Sequence, residues 1–242
     1  MATPHTADQI SSLWLVYHGS RSNGTGRGYL SASMSRTQYD SMLARAKKYP
    51  IFIIPLQHTV PVEGGVEGET KEATEFYFLQ WDLHEPPEVP SANTVDPAMG
   101  VDALLASKTS SSSSASEPAS GSATRAPPHI STVILTPLQE YKLRSTYAQP
   151  RLVLTHYSNF ANTHDTVLLR GEIAESSSSS GNYMLSQVEA QLLALAVQRF
   201  YLAVDEGQGK EVSGKAFQLL QDFHQRPESF DYEKLIELSP RI

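Results

Sequence analysis

Glu75-Phe76-Tyr77-Phe78-Leu79-Gln80-Trp81 is the stretch that decides the fold. In an extended chain successive side chains alternate between faces, so Tyr77, Leu79 and Trp81 share one face and Phe76 and Phe78 the other. Neither face is polar. Such a strand needs cover on both sides, which places it inside a sheet, between a helical layer and other covering elements. Upstream, Pro50 is followed by Ile51-Phe52-Ile53-Ile54, a short continuous apolar run suited to a second strand of the same kind.

Working outward, Ser35 with Gln38 three residues later forms a capping-box pattern. The segment from there to Lys48 carries its basic residues at the C-terminal end, where the helix dipole favours them, so a helix precedes the Ile51 strand. On the other side, Thr132 to Leu135 reads as a strand. Thr136, Pro137 and Gln139 then supply an N-cap, a first-turn proline and a capping partner for a short helix running to about Tyr147. Leu152 to Tyr157 and Thr166 to Ile173 are strands joined by a turn-rich stretch around Asn159 to His164, and so pair as a hairpin.

The C-terminal third is helical. Ser186 and Glu189 make a further capping box ahead of a periodic segment, with Val188, Leu192 and Leu195 on one apolar stripe and Leu193, Val197, Phe200 and Val204 on another. Val212, Ala216, Leu219, Leu220 and Phe223 follow at spacings of three and four until Pro227, and a last short helix covers Tyr232 to Leu238. The expected fold is α+β: a mainly antiparallel, mixed sheet of about five or six strands flanked by helices.

The chain of 242 residues is read as a single domain. Interrupting it, residues 83–129 run through Pro86-Pro87, Pro90 and Pro97 into Ser110 to Ser114, the composition of a disordered insertion; Ser176 to Ser180 reads as an extended loop. A formal charge of -7 without clustered Lys and Arg argues against nucleic acid as a partner. Cysteine is absent, which excludes disulfides, thiolate metal sites and cysteine nucleophiles. No apolar run is long enough to insert in a membrane. Residues 1–12 hold Asp8 and neither Arg nor Lys, so no transit peptide is visible; a presequence is expected to have been removed or never encoded.

The residue types that carry chemistry do not assemble into a catalytic pattern. Gly24-Thr25-Gly26-Arg27-Gly28 lacks the Lys-Ser/Thr pair of a phosphate loop and reads as a flexible loop. His18, His156 and His164 lie near ordered elements but share no metal-ligand spacing, so no metal and no cofactor is expected. The serines lack a nucleophile elbow. Glu172 and Glu175 cannot be held as a carboxylate pair if Glu175 opens a mobile loop. Arg170 and Glu172 share a strand face, where a solvent-side ion pair explains them at least as well as a binding role.

Taken in order, Phe52-Ile53-Ile54-Pro55-Leu56, Glu75 to Trp81, Leu168-Leu169-Arg170-Gly171-Glu172, Glu189-Ala190-Gln191, Gln198-Arg199-Phe200-Tyr201 and Leu219-Leu220 with Phe223, Pro227 and Phe230 resemble the F-type ATPase assembly chaperone family. The similarity spans residues 13–238 apart from the two low-complexity segments, and departs from the family pattern at Gln57-His58. The resemblance implies a non-enzymatic protein of the mitochondrial matrix. Such a protein binds the unassembled beta subunit of ATP synthase before the alpha subunit takes its place, without ATP or metal. Phe76, Phe78 and Trp81 are then candidate anchors for the client, with Arg170, Glu172, Gln191 and Gln198 as further candidate contacts. Two other readings remain: a small-molecule enzyme whose site is assembled from loops, and a scaffold regulated by phosphorylation of the serine-rich insertion.

Overall fold

The structure is a computed structural model and describes residues 5–61, 70–85, 128–176, 181–202 and 209–240. Six strands form one sheet: β1 Tyr29–Ser35, β2 Ile51–Pro61, β3 Thr70–His84, β4 Ile130–Pro137, β5 Leu152–Tyr157 and β6 Thr166–Ile173. Their order is β1-β6-β5-β4-β3-β2, and every pairing is antiparallel. The helices that matter for the site are α1 Ala7–Gly19, α2 Arg36–Lys48, α3 Leu138–Arg144, α4 Gln187–Tyr201, α5 Gly209–Gln225 and α6 Tyr232–Leu238. The α+β class, the antiparallel sheet and the helical C-terminal part are as the sequence led one to expect.

The β3 pattern dictates the layers. Tyr77, Leu79 and Trp81 are buried and pair in register with Val133 and Leu135 of β4 on one side and with Phe52 and Ile54 of β2 on the other. Tyr39 and Met42 of α2, Leu193, Val197 and Phe200 of α4, and Leu219 and Leu220 of α5 complete this core. Each such side chain contributes about 1.5–3 kcal/mol on leaving water. Phe52 is the aromatic hub, with ring centroids 5.0, 5.3 and 6.3 Å from Phe200, Phe223 and Phe230. Gly171 in β6 is required by a close approach, since a Cβ there would sit 2.8 Å from that of Leu30 in β1.

Several local expectations are corrected. Thr136 does not cap a helix: β4 continues through Pro137, because Thr136 and Pro137 pair with Phe78 and Tyr77, and α3 starts with no side-chain cap. On α4, Leu192, Leu193, Val197 and Phe200 are buried, whereas Val188 and Leu195 are 50% and 52% exposed; among the described residues no layer covers that side of the helix. Val212, in the first turns of α5, is also exposed. The glycine-rich segment is a folded connector from α1 to β1, in which Gly24, Gly26 and Gly28 all take positive φ that other residues adopt at a cost. Leu83 and His84, at the start of the expected insertion, belong to β3. Residues 86–127 of that insertion, 177–180 of the serine tract, and Val204 lie outside the described residues.

Candidate functional site

Two elements absent from the sequence reading, α1 and β1, build the site. Thr6 and Gln9 form a reciprocal capping box that starts α1. The Trp14 indole N–H donates to the Leu169 carbonyl at 2.8 Å, and its ring meets Tyr157 edge-on at 5.7 Å. His18 is buried against Trp14 at 4.2 Å with Nδ1 2.9 Å from the Trp14 carbonyl, and Arg21 stacks its guanidinium 4.2 Å over Tyr29. These contacts fix α1 against β1 and β6. They leave Leu13, Leu15, Val16 and Tyr17 exposed.

Between α1 and α4, along the outer edge of β1, runs a groove of about 650 Å³. Leu15 and Gly19 line it from α1, Leu30 to Ala32 from β1, and Gln191, Ala194, Leu195 and Gln198 from α4. The exposed Leu15 and Leu195 are therefore on opposite walls of one depression. Among its described lining residues Arg27 is the single side chain that is always charged. Its described lining holds no paired carboxylates and no nucleophile with a base, and offers an apolar cleft with amide donors and acceptors.

The strand at its floor carries free backbone. Gly28 accepts from the Ile173 N–H, so Gly28, Leu30, Ala32 and Met34 turn their backbone toward β6, and Tyr29, Ser31, Ser33 and Ser35 turn theirs outward. The Tyr29 N–H donates to the Gly26 carbonyl, the Tyr29 carbonyl accepts from the Gln187 side chain, and the Ser35 N–H donates to the Gln38 side chain. Among the described residues, the N–H and C=O groups of Ser31 and Ser33 have no partner.

The sequence-predicted site residues are dispersed. Gln191 and Gln198 line the groove. Arg170 and Glu172 form an ion pair at 2.9 Å on the sheet face away from the main core, with the guanidinium 5.5 Å over Tyr157. Phe76 and Phe78 lie on that same face, Phe78 against Tyr141 of α3 at 4.3 Å. Trp81 lies in the core, 8% exposed, with its ring stacked 5.8 Å from His156. Burial lowers the pKa of His156 to about 4, opposed by hydrogen bonding to Ser131. Its Nδ1 is 3.1 Å from Ser131 Oγ, which is 2.9 Å from the Tyr39 hydroxyl. This buried triad has no access to a substrate and holds β4, β5 and α2 together. His164 is a surface residue beside Thr163. Among the described residues no group of His, Cys, Asp or Glu could hold a metal, and no helix is long and apolar enough to cross a membrane.

Leu15, Ser31 and Leu195 were missed. A signal for α1 existed in Thr6-x-x-Gln9, and one for β1 in the alternation of Leu30, Ala32 and Met34 with serines.

One antiparallel sheet with helices on its faces, and a mainly apolar groove along one edge strand, define the class of molecule. The chain belongs to the ATP11 protein family, which it matches over residues 1–236. It is 26% identical over 194 residues to "Protein atp11, mitochondrial" of Schizosaccharomyces pombe, an alignment covering 80% of this chain and 45% of that relative. The chain thus spans less than half the length of the curated relative it matches.

Proposed function

We propose that this chain is a mitochondrial matrix chaperone for ATP synthase assembly, a single non-enzymatic domain that binds the unassembled beta subunit. Membership of the ATP11 family and a relative named as mitochondrial support the setting. The observation that carries the binding role is the exposed apolar surface of Leu13, Leu15, Val16 and Tyr17 on α1, continued across the groove by Leu195 on α4. Contiguous exposed apolar surface in a folded protein marks a partner site. A holding role needs that surface and no reacting groups. Phe76 and Phe78, on the sheet face away from the main core and nearer the β2 edge, are a secondary contact for the same client.

Capture assays with separately purified beta and alpha subunits test this. Free beta is expected to be retained and alpha not; retention of neither, or of alpha alone, would overturn the proposal.

A further inference from the structure

We infer that the β1 edge binds its partner by strand addition: an extended, mainly apolar polypeptide segment pairs with Ser31 and Ser33 as a seventh strand, held between α1 and α4. With beta as the client, this rests on the proposed function and specifies how the client is held.

The first support is hydrogen-bonding complementarity. Ser31 and Ser33 present alternating N–H and C=O groups along an open edge, and an extended main chain satisfies such a row. The second is the contrast with the other edge of the sheet. Along β2 the outward positions are Ile51, Ile53, Pro55, Gln57, Thr59 and Pro61, since the Trp81 N–H donates to the Pro50 carbonyl. Prolines stand at two of these and offer no N–H, and the Ile51 carbonyl accepts from His224 Nε2 at 2.6 Å. Proline on an edge strand is how natural sheets refuse a further strand. β1 has no proline, and the outward residues left without backbone partners among the described residues are small serines.

The third support is the shape and charge of the groove. A strand added in the plane of the sheet would send alternate side chains up toward Leu15 and down toward Ala194 and Leu195, so apolar residues fit both directions. Gln191 and Gln198 supply amides that tolerate many sequences. Arg27 sets a charge preference at one end, where an acidic residue of the incoming segment is favoured.

The test uses the full chain, purified beta subunit, and the double variant Ser31→Pro, Ser33→Pro. Proline at these positions removes only outward N–H groups, so the sheet is retained. Beta capture should fall about tenfold or more while Tm holds within a few degrees. Amide hydrogen exchange at Ser31 and Ser33 should be fast in the free protein and slow in the complex; this measurement decides alone if the proline variant does not fold. Undiminished capture by a folded variant, unprotected amides in the complex, or amides already protected in the free protein, meaning that the chain fills its own edge, would each overturn strand addition. If wild type captures no beta, the proposed function fails separately. The same exchange experiment with reduced, carboxymethylated lactalbumin then decides the edge: protection of Ser31 and Ser33 supports it and none refutes it.

Discussion

Leu193 and Leu195 are two residues apart on α4, and the helix turns them into different regions of the molecule. Leu193 is fully buried with Val197 and Phe200 against the sheet, while Leu195 is half exposed on the groove wall with Gln191 and Gln198 alongside. The inward region is closed: its aromatic rings pack on Phe52, and the Tyr201 hydroxyl donates to the Tyr49 carbonyl at 2.8 Å. The groove region is open among the described residues, with exposed apolar side chains and with backbone groups of Ser31 and Ser33 that have no partner there. Substitutions on the inward side should therefore cost folding, and substitutions on the groove side should cost binding.

The largest effect is expected for Leu193→Asp. It would place an unpaired carboxylate among Tyr39, Val197 and Phe200, a change of the kind that costs on the order of 4–5 kcal/mol. That consumes much of the roughly 5–15 kcal/mol available to a domain. Loss of the cooperative unfolding transition is the expected result by circular dichroism, and a normal transition would contradict the assignment of this face to the core.

Next in size is the pH response of the closed region. His156 is buried beneath Trp81 with its pKa lowered from 6.5 to about 4, so its neutral form belongs to the folded state. As pH falls below about 6.5 the unfolded chain takes up the proton first, and stability present at neutral pH is lost progressively down to about 4. The full loss is on the order of 3 kcal/mol. In His156→Gln the Tm should start lower and change less between pH 6.5 and 4.5. Parallel curves for the two proteins would remove His156 as the source.

The two regions were not equally legible in the sequence. The closed region could be read because its signals are local. The alternation at Tyr77, Leu79 and Trp81 fixed which face is buried, and the capping boxes at Ser35 with Gln38 and Ser186 with Glu189 both form the reciprocal bonds that the residue pairs imply. The open region could not. β1 is a serine-rich strand of low intrinsic preference, held extended by pairing with β6 and by the absence of a Cβ on Gly171. Spacing of three and four put Leu195 on an apolar stripe but carries no information on whether anything lies above it. Trp81 shows the reverse difficulty. A large aromatic is an equally good core residue and binding anchor by type, and its neighbours His156 and Tyr201 place it in the core.

The smallest effect on stability, and the sharpest test of the contrast, is expected for Leu195→Asp. The side chain is 52% exposed, so a carboxylate there stays hydrated and the stability change should remain within about 0.5 kcal/mol. Helix preference adds little, because Asp costs only a few tenths of a kcal/mol more than Leu in a helix. Binding responds differently. A client segment that covers Leu195 would have to bury the new charge without a partner, and Arg27 is the one always-charged group among the described residues lining the groove. Beta capture should fall by at least about tenfold while the Tm is unchanged within error. Leu195→Ala, which shortens the wall without adding charge, should lose less. If Leu195→Asp keeps full capture, the groove wall is not where the client lies, and the exposed α1 residues Leu13, Val16 and Tyr17 remain as the surface to be substituted.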